Sequence, residues 1–243
     1  MPGNRRGRKL IRLILLLVLF GVLACGWYLG DYYRADEEAV AAFAPEGQVD
    51  QVELAEGGTA YLPEEPVAGL IFYPGGKVEH TAYQPLMEAC AARNILCVLV
   101  EMPFRLAVLD MDRAQGIQAR YPQVESWYMA GHSLGGAMAA SYLEGTEEEF
   151  AGLVLLGAYS AADLSDRNLQ VLSLYGDCDQ VLDREKYESC RANLPRDFQE
   201  VVLEGGCHSG FGFYGPQEGD GVPTLSAEEQ ILQTARAIEE LVN

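Results

Sequence analysis

Ser133 sits in the run Gly131-His132-Ser133-Leu134-Gly135, preceded by the apolar stretch Trp127–Ala130 and followed by residues rich in Ala and Met. A serine on a sharp strand-to-helix turn, with glycines where neighbouring Cβ atoms would collide, exposes its hydroxyl as a nucleophile. The same glycines in an ordinary turn would leave the serine passive. A serine hydroxyl attacks poorly until a base takes its proton, so a histidine must be near. The chain holds three. His132 adjoins the serine and is expected to point away from Oγ, with a role in stability, and His80 precedes the turn. His208 lies in the glycine-rich stretch 204–212, just after the run Gln199–Leu203. Catalytic groups of strand–helix proteins gather at such strand ends. It alone satisfies the chain order serine, acid, histidine.

The acid is then sought between them, after a strand. Asp179 follows the run Val171–Tyr175 and is read as the group that orients the imidazole, with Asp177, Asp183 and Asp163 as alternatives. The fourth part is a pair of backbone N–H donors for the oxygen that becomes negative in the transition state. Pro74-Gly75-Gly76-Lys77-Val78 follows another apolar run. The amides of Gly76 and Leu134 are assigned as donors, with Lys77 as an alternative to Gly76. A phosphate-binding loop is the rival there, but its G-x-x-x-x-G-K-[ST] pattern is absent.

These residues need a scaffold that brings several strand ends together. Strand candidates are 48–54, 69–73, 95–100, 127–130, 153–156, 171–175 and 199–203, the middle five apolar nearly throughout, as strands covered on both faces must be. Between them run helical patterns. Tyr83, Leu86, Met87, Cys90 and Ala91 share one face; Ile231, Ala235, Ile238 and Val242 share another, behind a capping box of Ser226 and Glu229. Alternation of this kind predicts an α/β fold with a mostly parallel central sheet and helices on both faces. No internal repeat, second domain or separate lid is evident.

Leu13 to Gly30 is charge-free, follows Arg5, Arg6, Arg8, Lys9 and Arg12, and ends among Trp27, Tyr28, Tyr32 and Tyr33. Basic residues stay cytoplasmic and aromatic rings favour the interface, so the segment reads as a single-pass transmembrane helix with the rest of the chain extracytoplasmic. A cleaved signal or lipoprotein site around Val22-Leu23-Ala24-Cys25 is the alternative, and would make the product secreted or lipid-anchored. The expected division is 1–12 basic cytoplasmic tail, 13–30 anchor, 31–47 helix or stalk stopping at Pro45-Glu46-Gly47, and 48–243 catalytic domain. Cutting before Ala35 should then leave the fold and the activity whole. The formal charge is −19, and the chain beyond the basic tail holds 12 basic against 36 acidic residues. Such a surface repels nucleic acid, which is excluded as a partner. The six cysteines form no C-x-x-C pair, so no metal site is expected. Cys178 and Cys207 immediately precede the proposed acid and base. If those two pair, the two Cα atoms should lie within about 10 Å, with the sulfurs behind the site and a disulfide between them permitted.

The chain resembles the small, lidless branch of the α/β-hydrolase superfamily, close to bacterial dienelactone-hydrolase-like proteins. Residues 74–78, 101–104, 131–137 and 211–217 carry the likeness, which extends over 48–243. Dienelactone hydrolases use a cysteine nucleophile, and Ser133 departs from that. Cys207 and Ser209 stand where the resemblance implies Asn and Ala beside the histidine. The resemblance implies a carboxylic-ester hydrolase that needs no cofactor and takes a small-molecule ester or acyl substrate. A thioesterase, amidase or acyltransferase would use the same residues. A catalytically silent exported binding protein is the reading from another class, and retention of serine, acid and histidine together weighs against it.

Overall fold

A computed structural model of the chain describes residues 5–44 and 49–243. The expected break at Pro45-Glu46-Gly47, Gln48 at the start of the first expected strand, and residues 1–4 of the basic tail lie outside the described residues.

The apolar runs form the strands they predict. β3 (Ala68–Tyr73), β4 (Ile95–Val100), β5 (Trp127–His132) and β6 (Gly152–Leu156) are buried at every position. They belong to a sheet completed by β1 (Asp50–Glu53), β2 (Gly58–Leu62), β7 (Gln170–Gly176) and β8 (Gln199–Leu203), in the order β1-β2-β4-β3-β5-β6-β7-β8. From β4 to β8 every neighbouring pair is parallel, whereas β2 is antiparallel to both β1 and β4. The sequence pattern does not mark β2. It is too short to display a period, and its burial comes from partners distant in the chain.

Alternate side chains feed two cores. Leu70, Phe72, Leu99, Ala130 and Val154 pack with α3 (Gln84–Ala91) and α6 (Ala227–Val242), while Ile71, Tyr73, Val98, Met129 and Leu155 pack with α4 (Leu134–Gly145). The five residues read as one face around α3 are all buried. In α6, Ile231, Ala235 and Ile238 are buried together with Leu241 rather than Val242, and Ser226 and Glu229 close the capping box. The chain leaves β3 toward β4 and then crosses back to β5 on the other side of β3. The C-terminal ends of β3 and β5 therefore flank the switch point where α/β sheets bind ligands.

At the N-terminus, α1 (Arg5–Gly30) has a mean hydropathy of 2.4 over Ile11–Gly30, Arg12 being the one charge there, and is long and apolar enough to cross a membrane. Its side chains from Ile11 to Tyr28 are all exposed. Helix continues back through Arg5–Arg12, within the stretch expected to be a tail.

Residues 33–243 form their own compact unit, which begins well before the expected boundary at 48. Tyr33 pairs in parallel with Val78, and the Phe43 ring meets that of Phe213 edge-on at 6.0 Å. Of the helix or stalk expected over Asp31–Ala44, only α2 (Glu37–Ala42) is helical. Asp36 starts it by accepting the Ala39 N–H at 3.0 Å.

Candidate active site

β5 delivers Ser133 into the left-handed region, at φ 52° and ψ −123°. A non-glycine residue rests there only when its surroundings over-determine it. They do: its N–H donates to Leu156 O at 2.9 Å and its carbonyl accepts the Ala137 N–H at 3.1 Å. Side chains on the flanking glycines would not fit, since a Cβ on Gly135 would strike Tyr73 O and one on Gly131 would strike Gly135.

Across the end of β6, His208 Nδ1 lies 2.9 Å from Asp179 Oδ2, with both side chains essentially inaccessible to solvent. Asp179 Oδ1 accepts the N–H groups of Val181 at 2.9 Å and Leu182 at 2.8 Å, so the carboxylate is fixed before it meets the ring. Gly157, next to the residue that holds Ser133, makes room for the pair: a Cβ there would lie 2.9 Å from His208 Nδ1. The structure thus joins Asp179 to His208 beside the serine turn. It shows no bond from His208 to the serine, because the buried His208 Nε2 has no hydrogen-bond partner among the described residues. Catalytic hydrogen bonds are often open without substrate.

The backbone amides sort themselves by what they already bind. Gly75 N–H donates to Tyr83 Oη at 3.1 Å and Lys77 N–H to Arg105 O at 2.9 Å. Gly76 and Leu134 N–H make no hydrogen bond among the described residues, and a Cβ on Gly76 would sit 2.9 Å from Leu134 Cδ2. Gly76 and Leu134, each with an N–H uncommitted among the described residues, thus lie side by side at the switch point, and the alternative donor, Lys77, is already engaged.

A family model described as an alpha/beta hydrolase family matches residues 69–232. The chain belongs to that family. No curated protein matches the sequence. Among solved structures, the hydrolase is similar to TT1662 from Thermus thermophilus, at 16% identity and a TM-score of 0.59, over 81% of this chain and 99% of that one. A dienelactone hydrolase from Anabaena variabilis aligns at 12% identity and a TM-score of 0.56, over 80% of this chain and 97% of that one. Est1E from Butyrivibrio proteoclasticus aligns at 13% and 0.57, over 81% and 99%. At such identities the likeness is one of fold.

The other acids of this hydrolase have structural work. Asp177 accepts the Gly205 N–H at 2.7 Å, Asp183 caps α5 (Arg184–Cys190) through the Lys186 N–H at 3.0 Å, and exposed Asp163 holds Ser165 at 2.6 Å. Sequence reading missed Asp220. Its carboxylate accepts the N–H of His208 at 3.2 Å and of Ser209 at 2.8 Å, tying down the histidine's own backbone. Burial opposes its ionisation, but these donors, the Gly221 N–H and the Ser209 hydroxyl together hold its carboxyl below the usual value. Its setting between Gly219 and Gly221 signals a turn without saying what the turn holds.

His132 is buried, with Nδ1 2.8 Å from Tyr83 Oη and its ring centroid 4.5 Å from that of His208. Burial first, and the neighbouring His208 second, hold its imidazole well below the usual histidine range. Cys178 and Cys207 are both free thiols, so the permitted disulfide is absent. The two loops do meet, since Cys178 N–H donates to Gly206 O at 3.0 Å, but Cys207 Sγ turns to Ser209 Oγ at 3.4 Å.

Proposed function

We propose that this chain is a serine hydrolase that cleaves carboxylic esters through an acyl-enzyme at Ser133. The observation that carries the reading is the buried Asp179–His208 pair beside a serine held at positive φ, with two unspent amides at the same strand ends. Asp179 Oδ2 takes the proton side of Nδ1, which leaves Nε2 as the base. Nε2 removes the Ser133 proton as Oγ attacks the ester carbonyl. The carbonyl oxygen, now negative, accepts the N–H groups of Gly76 and Leu134. His208 then gives the proton to the leaving alkoxide, and water repeats the sequence to release the acid. Nothing in these steps calls for a metal or a cofactor. The basic residues of Arg5–Arg12, at the start of α1, favour a cytoplasmic N-terminus, with the apolar remainder of α1 as anchor and the hydrolase domain outside.

The test is a panel of chromogenic esters of increasing acyl length on the full chain in detergent, with fluorophosphonate labelling in parallel. Ser133→Ala should lose labelling and at least ~10³-fold in turnover, because no other nucleophile is supplied. Retention of a tenth of the activity rejects the assignment, and preference for thioesters or amides redirects the substrate class. Protease added to intact cells should digest the hydrolase domain; full protection would reverse the orientation.

A further inference from the structure

The segment directly after α1 touches the loops on which this reading depends. Tyr33 N–H donates to Lys77 O at 2.8 Å, and Glu79 N–H donates to Tyr33 O at 2.9 Å. Ala35 N–H donates to Glu79 Oε2 at 3.0 Å. The same few residues reach the segment that follows His208. Asp36 N–H donates to Phe213 O at 2.8 Å, Glu218 N–H donates to Tyr33 Oη at 3.1 Å, and the rings of Tyr33 and Tyr214 stand 5.8 Å apart.

Lys77 is the sensitive point. It holds φ 59°, a left-handed conformation that a lysine does not keep unaided. Its N–H is held by Arg105 O and its carbonyl by Tyr33 N–H, while Gly75 on the other side is held by Tyr83 Oη. Gly76, whose N–H is free, hangs between these fixed points. Val78 N–H also closes this turn on Gly75 O at 3.2 Å, so releasing the Lys77 carbonyl loosens the turn rather than opening it, and the Gly76 amide shifts with it.

We propose that Tyr33–Asp36 is a strap that positions the Gly75–Lys77 loop and braces the segment behind His208, which makes Tyr33 a positioning residue for the oxyanion site. The proposal rests on the assignment of Gly76 as a donor. It also moves the start of the functional unit from 48 to Tyr33, so that a chain cut before Ala35 keeps the sheet and loses the strap.

The experiment uses the full chain in detergent micelles with three variants. Tyr33→Pro deletes both the N–H that binds Lys77 and the ring on Tyr214, Tyr33→Ala deletes the ring and keeps the N–H, and Tyr33→Phe keeps both. Complete loss of one oxyanion donor costs on the order of 10²–10³ in kcat, so a displaced donor should cost roughly ten- to a hundredfold. Tyr33→Pro should show that loss in kcat, with KM within about threefold of wild type; Tyr33→Ala, which keeps the bond to Lys77, should lose less, and Tyr33→Phe should stay within about threefold in both. Hydrogen exchange should quicken at residues 213–218 in the first two variants and at 76–79 in Tyr33→Pro, and not over β5 or β6. Wild-type kcat in Tyr33→Pro, a loss carried by KM alone, or unchanged exchange at 76–79 in that variant would each overturn the strap. Should the wild type show no Ser133-dependent hydrolysis, the functional reading fails instead, and exchange at 76–79 alone decides whether the strap holds that loop.

Discussion

Asp179→Asn separates a catalytic acid from a residue that merely shapes a turn. Oδ1 of Asp179 holds two backbone N–H groups, at 2.9 and 2.8 Å, and Oδ2 faces the imidazole at 2.9 Å. An asparagine keeps the turn by leaving its oxygen on the two amides, which puts its NH2 against His208 Nδ1. That group can only donate, so Nδ1 must become the acceptor and the proton moves to Nε2. A protonated Nε2 cannot take the proton of Ser133. The expected loss is about 10⁴-fold in kcat, or about 5.4 kcal/mol at 1.36 kcal/mol per tenfold. The fold should lose only about 1–2 kcal/mol, the difference between charge-assisted and neutral hydrogen bonds at one residue. Steady-state kcat on a chromogenic ester near pH 8, with a thermal melt of the same sample, reads both quantities. If Asp179 only caps its turn, asparagine serves equally well. A folded Asp179→Asn protein with more than about a tenth of wild-type kcat would rule out Asp179 as the group that orients His208.

Asp220→Asn is the matched control. It should lower kcat at least tenfold less than Asp179→Asn, because Asp220 holds the backbone of His208 and not its ring. With its folded-state pKa below the ordinary 3.8, Asp220 contributes stability that is present above that pH and lost as pH falls through the folded value. The variant should therefore melt lower at pH 7 and lose less than wild type between about pH 4 and 2; parallel acid limbs would count against it. For His132 the folded pKa is depressed from 6.5, so the unfolded chain binds the proton more readily. Its contribution is whole above that pH and declines below it, by up to about 1.36 kcal/mol per pH unit. Stability measured at pH 8, 6.5 and 5 should fall less steeply for His132→Asn than for wild type, and equal slopes would mean that the ring titrates alike in both states.

What could be read from the chain alone was what local sterics and patterning impose. The serine turn demands small neighbours within two residues, so its glycines are visible as text. Strands covered on both faces must be apolar, which outlines β3 to β7, and the Ser226–Glu229 box is a four-residue device that opens α6. The order of serine, acid and histidine narrowed the site to two loops, and the structure brings Asp179 and His208 to 2.9 Å. The rest depends on pairings between segments far apart in sequence. Whether the Lys77 amide is available depends on Arg105 O, and the Gly75 amide on Tyr83 Oη. The anchoring of the His208 backbone depends on Asp220, the place of β2 on β1 and β4, and the role of Tyr33 on Lys77 and Glu79. Periodicity carries no record of these partners, because a backbone N–H or C=O is the same group at nearly every residue. Only the packed chain decides which of them are spent on the fold and which remain free to bind a substrate oxygen.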